Sequence, residues 1–194
     1  MQEVRSRNMR TMREKYAKDV VPAMIKKFGY KSVMAVPRPE KVVLNTGFGK
    51  LIAARTEDEQ RKTLEAIGKD MSDIAGQRIS LTRAKRSIAG FKIREGMPVG
   101  AKVTLRGARM YEFLDRLIHV VLPRSRDFRG LPVSSVDEKG NMAVGIREHI
   151  FFSEISPEKV KDIFGLQVTI ATTAKSKEKG LELFRLLGFP IRGK

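Results

Sequence analysis

Residues 78 to 109 carry nine basic side chains, Arg78, Arg83, Lys85, Arg86, Lys92, Arg94, Lys102, Arg106 and Arg109, against a single acid, Glu95. Cations at that density do one kind of chemistry. They neutralise phosphates and release the counterions of a polyanion, and the planar arginine fork adds a directed grip that lysine lacks. The whole chain has 39 Lys and Arg against 22 Asp and Glu, a net +17 in 194 residues. Nearly half of that excess falls in about a sixth of the sequence, whereas a surface shaped for solubility alone would mix its signs. Such self-repulsion is usually tolerated for the sake of a large anionic partner.

Other chemistries find no footing. Cysteine is absent, which excludes disulfides, zinc knuckles and thiol catalysis. His119 and His149 are the only histidines. The first falls on the polar side of a helical stripe and the second beside a strand end in REHIFF, so both read as surface or packing residues rather than metal ligands. TGFGK, at 46 to 50, invites a phosphate-loop reading. It lacks the spacing of that motif, and Leu51 stands where a magnesium-binding hydroxyl should be, so it reads as a strand-end turn. Glu154 and Glu158 have no assignable pocket and read as a solvated loop and a helix start. No catalytic residue, metal ligand, cofactor or small-molecule substrate is expected. There is no apolar run near 18 residues, and MQEVRSRNMRTMREK is no signal peptide, so a soluble, cytoplasmic chain is expected with no membrane partner.

The elements that must carry the charge follow from periodicity. Residues 5 to 28 put Met9, Met12, Tyr16, Val20, Met24 and Phe28 at helical spacing, with Pro22 to kink or restart the helix and Gly29 to stop it. KVVLN (41 to 45) is a strand. TEDE (56 to 59) is a capping box opening a helix whose stripe is Leu64, Ile67, Met71, Ile74 and Ala75, closed by Gly76. Three alternating segments follow, 78 to 83, 90 to 95 and 101 to 107, the last two joined as a hairpin through GMPVG. Ile79 and Leu81, Phe91 and Ile93, and Val103 and Leu105 take one parity, and basic or hydroxyl residues the other. A sheet with one apolar and one basic face results. Residues 109 to 121 form a helix with Met110, Phe113, Leu114, Leu117, Ile118 and Val121 inward, Glu112 paired to Arg116, and Pro123 as its end. PRSRDFRGLP is a basic loop, DEKGN a hairpin turn into MAVGIRE, and GLQVTIATT a further strand. Ser176 caps a last helix holding Leu183, Phe184 and Leu187. The fold class is α+β in a single domain, 1 to 194: a mostly antiparallel sheet with helices packed on one face.

An open face bearing Lys92, Arg94, Lys102, Thr104 and Arg106 suits the wide, shallow minor groove of RNA, where 2′-hydroxyls meet threonine and asparagine. Aromatic residues are only 7% of the chain and there is no Trp, which argues against serial base stacking on a single strand.

Four stretches carry a resemblance. SVMAVPRPEKVVLNTGFG (32 to 49), LTRAKRSIAGFKIREGMPVGAKVTLRG (81 to 107), RSRDFRGL (124 to 131) and LQVTIATTAKS (166 to 176) closely resemble, in collinear order, the bacterial large-subunit ribosomal protein family that binds 5S rRNA. Residues 1 to 8 look like a short extension relative to that family, and IAARTEDEQRKTLEA is a little long. The resemblance implies a curved antiparallel sheet whose open face docks on 5S rRNA through Asn45, Gln77, Phe91, Thr104 and Arg106, with Lys92, Arg94 and Lys102 also facing RNA. It implies that the basic loop 81 to 90 points Arg83, Lys85, Arg86 and Ser87 at the peptidyl-site tRNA. It further implies 23S rRNA, neighbouring large-subunit proteins and a protein of the small-subunit head as partners. Phe91 has two readings: strand parity buries it with Ile93, and the resemblance turns it to RNA. So charged a loop as 81 to 90 is expected to be disordered in the free protein. The rival to the ribosomal reading is a general architectural nucleic-acid binder without ribosomal specificity.

Overall fold

The computed structural model describes residues 11–192 apart from 54 and 127. The extension over 1 to 8, and Met9 in the first helical stripe, lie outside the described residues. Five strands form one antiparallel sheet: β1 (Pro39–Gly47), β2 (Ser80–Arg83), β3 (Pro98–Leu105), β4 (Met142–Ile146) and β5 (Leu166–Thr172). Their spatial order is β2-β3-β1-β5-β4.

Register sets which side becomes core. Leu44 lies opposite Val103 on one side and Val168 on the other, and Val168 opposite Val144. One step along, Val42 faces Leu105 and Ile170, and Ile170 faces Met142. All of these side chains are buried. Full burial of such a residue stabilises by ~1.5–3 kcal/mol, and a one-residue slip would turn the whole set to water, so the pattern pins the register.

Helices cover that apolar face. They are α1 (Met12–Lys15), α2 (Val21–Phe28), α3 (Gly49–Ala53), α4 (Glu57–Ala75), α5 (Gly107–Arg116), α6 (Leu122–Arg124) and α7 (Lys177–Leu187). Helix α5 packs on β1 and α4 on β3. The expected stripes are the buried ones: Ile67, Met71, Ile74 and Ala75 on α4, and Leu183, Phe184 and Leu187 on α7. Glu59 accepts from the Thr56 N–H at 3.1 Å, as the capping box requires. Ser176 stands at the N-cap of α7, but its side chain makes no capping bond there.

Both helix-borne prolines are absorbed in the same way. A proline lacks an N–H and crowds the carbonyl four residues back. Before Pro22 the chain widens into a π turn over Tyr16–Val20, and before Pro123 into another over Leu117–Val121. The N–H just ahead of each proline then reaches five residues back, Val21 to the Tyr16 carbonyl and Leu122 to that of Leu117. Pro22 restarts its helix as expected. Pro123 marks the end of its helix to within a residue: only Arg124 follows before Ser125 turns extended.

Three expectations change. Residues 90 to 95 are not a strand: Ala89–Phe91 is a 3-10 turn and Lys92 adopts a left-handed φ of 53°. That turn breaks the alternation, leaving Phe91 64% exposed while Ile93 turns inward beside Gly49. The hairpin is therefore β2 with β3, closed by the long loop between them. Strand β2 lies at the sheet edge, and Leu81 remains 41% exposed, so its apolar parity buries little. Arg116 pairs with Glu154 at 2.8 Å and donates to the Ile74 carbonyl at 3.1 Å, in place of Glu112. Glu154 is thus held against α5 and the end of α4.

Candidate nucleic-acid interface

The face of the sheet away from the helices carries the other parity. Ser80, Lys102, Asn45, Gln167 and Gly145 stand in register across all five strands. All five are exposed. The row therefore offers a hydroxyl, an ammonium and two amides, with a glycine at its far end. Nothing lies within 4 Å of where a Gly145 side chain would project, so a ligand backbone can approach the sheet closely there. The next row holds Thr104, Val43, Thr169 and Ala143. Amides and hydroxyls both donate and accept, which matches the mixed edges of a shallow RNA groove.

The β3 edge of this face is organised by Gln77. Its Nε2 donates to the Thr104 carbonyl at 2.9 Å, and its Oε1 accepts from Arg109 at 3.1 Å. Strand β2 stops pairing at Ser80 opposite Lys102, and two residues further along β3 the Gln77 amide takes over as hydrogen-bond donor. Arg106 sits beside it, exposed, in extended geometry at the N-cap of α5. Asn45, Gln77, Lys102, Thr104 and Arg106 are thereby brought together.

Phe91, Lys92 and Arg94 are not on the sheet. They belong to the β2–β3 loop with Lys85, Arg86 and Ser87, and Arg83 enters it from the end of β2. Phe91 is outside the core, which settles the parity question against burial. Ser80, Gln167 and Thr169 are the residues of the face that the sequence reading missed. The alternation of Leu166, Val168 and Ile170 already assigned the intervening positions to the open side.

The loop is bonded to itself in this conformation. Ala84 donates to the Met97 carbonyl at 2.8 Å, and Gly96 to that of Ala84 at 3.0 Å. Ile88 and Ile93 exchange bonds of 2.9 and 3.2 Å. Ser87 Oγ accepts from the Glu95 N–H at 2.9 Å, and Arg83 donates to the Gly96 carbonyl at 3.0 Å. Lys85 and Arg86 are left exposed on this frame.

The histidines stand elsewhere. His119 is exposed, within 3.0 Å of the Asp115 carbonyl. His149 is fully buried and stacked on Phe164 at 3.9 Å. Its Nδ1 accepts from the Phe164 N–H, and its Nε2 lies 3.5 Å from an Asp70 oxygen. Burial pushes the imidazole below its ordinary pKa and the Asp70 carboxyl above its own. Among the described residues no three His, Asp or Glu side chains converge into a metal site, and no helix is long and apolar enough to cross a membrane.

Two family models match the chain. The one described as "Ribosomal protein L5" covers residues 32–94, and the model of the C-terminus of the same ribosomal family covers 98–191. The chain is 52% identical over 183 residues to the large ribosomal subunit protein uL5 of Thermoanaerobacter sp. (strain X514). It is 50% identical over the same length to the proteins of that name in Halothermothrix orenii and Alkaliphilus metalliredigens. In each case the match spans 94% of this chain and 99% of the relative.

Proposed function

The chain belongs to the ribosomal protein L5 family and is a structural constituent of the large ribosomal subunit, and from there we propose that the open face of its sheet binds 5S rRNA. It is a ribosomal component rather than an enzyme, it associates with rRNA and other ribosomal components, and it works on the ribosome in the cytoplasm. Membership of a ribosomal family removes the rival of an architectural binder with no ribosomal address.

The observation that carries the 5S reading is the exposed row Ser80, Lys102, Asn45, Gln167 and Gly145. Asn45 and Thr104 reach base edges and 2′-hydroxyls, Lys102 and Arg106 take phosphates, and Gln77 holds the rim. Phe91 meets the same RNA from the adjoining loop, with Lys92 and Arg94 beside it. This contact anchors 5S rRNA in the central protuberance. Arg83, Lys85, Arg86 and Ser87, on the self-bonded loop, reach the peptidyl-site tRNA. Contacts with 23S rRNA, neighbouring large-subunit proteins and a protein of the small-subunit head complete the assembly.

The test compares 5S rRNA with length-matched duplex RNA across a salt series. Each phosphate neutralised steepens the log–log slope by roughly 0.7–0.9. A 5S advantage that persists as salt rises supports the reading. Coincident lines for the two RNAs would mean that net charge alone does the binding.

A further inference from the structure

The loop from His149 to Phe164 is tied at its neck. Its regular structure is two 3-10 turns, His149–Phe151 and Pro157–Lys159. The His149 N–H donates to the Phe164 carbonyl at 3.1 Å, and the Phe164 N–H to His149 Nδ1 at 3.3 Å. With the two rings stacked as well, the ends meet and the chain between them forms an Ω-loop.

Its two halves are held differently. In the first, Phe152 and Ile155 are buried, Phe152 stacks on Phe113 of α5 at 6.0 Å, and Glu154 pairs with Arg116. In the second, from 156 to 163, no described side chain is buried, and Ile163 is 56% exposed. This half does not pack flush on α4. A cleft of about 690 Å³ lies between them, lined by Thr63, Ala66 and Ile67 from the helix and by Val160 from the loop. Apolar side chains bordering such a space forgo the contacts that would hold them.

Arg55 and Asp162 span the cleft. Arg55, at the corner between α3 and α4, meets both Asp162 carboxylate oxygens, at 2.8 and 2.5 Å. The paired geometry is the strong form of an arginine–carboxylate contact, and the guanidinium holds the Asp162 carboxyl below its usual range. Arg55 is itself braced: it donates to Thr63 Oγ1, and its carbonyl accepts from Gln60 Nε2 at 2.9 Å. A fixed cation on the helical layer thus grips a carboxylate on a segment that has no core anchor of its own. Segments with few buried apolar contacts open locally while the rest of a fold stays closed.

We propose that residues 156 to 163 are a flap that opens from α4 while the first half of the loop stays seated, and that Arg55 and Asp162 are its latch. Opening uncovers Thr63 and Ile67, both buried in the latched form. It also lets Glu158, Lys161 and Ile163 move together between the fixed points Ile155 and Phe164. The outer surface of the loop then has a rigid half and an adjustable one, whichever RNA the sheet holds.

The chain has no native cysteine, so opening can be read as the labelling rate of a single introduced thiol. Val160→Cys, at a partly buried position, reports the flap, and Ile155→Cys the seated half. Arg55→Gln should speed labelling at 160 by at least about fivefold, as loss of hydrogen bonds between charged groups does, and leave labelling at 155 within about twofold. Asp162→Asn should do the same, and the two together no more than either alone, since both break one contact. Hydrogen exchange of the unaltered and Arg55→Gln chains gives the comparison without a cysteine: exchange should quicken over 156 to 163 and not over 149 to 155. An unchanged rate at 160 in both variants would remove the latch. Equal acceleration of the two halves, by either readout, would mean that the loop opens in one piece and would overturn the flap.

Discussion

The Gln77 amide is bonded at 2.9 Å to the Thr104 carbonyl, so two residues that the family resemblance assigns to RNA contact first contact each other. With its other end on Arg109, Gln77 serves less as a free reader of RNA than as a brace for the β3 edge. Gln77→Ala should therefore cost stability as well as affinity, each by ~0.5–1.5 kcal/mol, the usual worth of a neutral hydrogen bond. Urea unfolding and 5S rRNA titration of the same variant check this. A loss of affinity with no loss of stability would make Gln77 a direct reader instead.

Arg106 is the contrasting case. It is exposed at the N-cap of α5 and its side chain makes no capping bond. Arg106→Ala should weaken 5S rRNA binding by ~1–3 kcal/mol, as loss of hydrogen bonds to charged groups does, with little change in folding free energy. Affinity equal to that of the unaltered protein would remove Arg106 from the interface.

The β2–β3 loop separates two roles within one basic segment. Arg83 is tied to the Gly96 carbonyl and helps shape the loop, while Lys85 and Arg86 are exposed. Replacing Lys85 and Arg86 with Ala should leave the loop folded and 5S affinity within about twofold, because the sheet face is untouched. Peptidyl-site tRNA should then dissociate faster from ribosomes carrying the variant. A large loss of 5S binding would show that these cations face the wrong RNA in the present reading.

The sequence made the sheet's core and the helical stripes legible because both rest on local periodicity: Leu44, Val103 and Val168 alternate, and Ile67, Met71 and Ile74 recur by turns. The misread strand at 90 to 95 has a physical cause. Lys92 takes a left-handed φ that its residue type seldom adopts, and the period-2 pattern around it is that of a folded loop. The open-face row could not be seen from one strand at a time. Ser80, Asn45 and Gln167 become neighbours only through register, which couples residues as far apart as 80 and 167. The widened turns ahead of Pro22 and Pro123 were hidden for a similar reason: a π turn is a backbone accommodation with no residue signature of its own.

Gly180 of α7 fits against Gly140 in the turn before β4, and a side chain at 180 would come 2.5 Å from the Gly140 Cα and 2.7 Å from its oxygen. Alanine normally stabilises a helix by about 1 kcal/mol over glycine. Here both obstacles are backbone, and that turn is tied to β5, since Thr172 Oγ1 donates to the Gly140 carbonyl at 2.7 Å. Gly180→Ala should destabilise by ~2 kcal/mol or more in urea unfolding. Equal or greater stability would mean that α7 can shift away from the turn freely.

His149 gives the fold an acid-sensitive component whose sign follows from its burial. Its folded pKa lies below 6.5 because the buried cation is poorly solvated, despite the pull of Asp70. The unfolded chain therefore binds this proton more readily, and the stability contributed by neutral His149 is complete above about pH 6.5 and lost as pH falls through the depressed pKa. Asp70 works in the opposite sense. Burial raises its pKa above 3.8, so its contribution is greatest below that value and declines as pH rises through the raised one. Asp70→Asn removes the carboxylate that favours imidazolium, which should steepen the loss between pH 6.5 and 5. His149→Phe keeps an aromatic ring against Phe164 but drops the titrating group, which should flatten it. Urea midpoints at pH 8, 6.5 and 5.5 for the three proteins separate these slopes from the general effect of protonating surface acids, which all three share. Identical pH slopes in the unaltered protein and His149→Phe would mean that the imidazole is not held neutral in the fold.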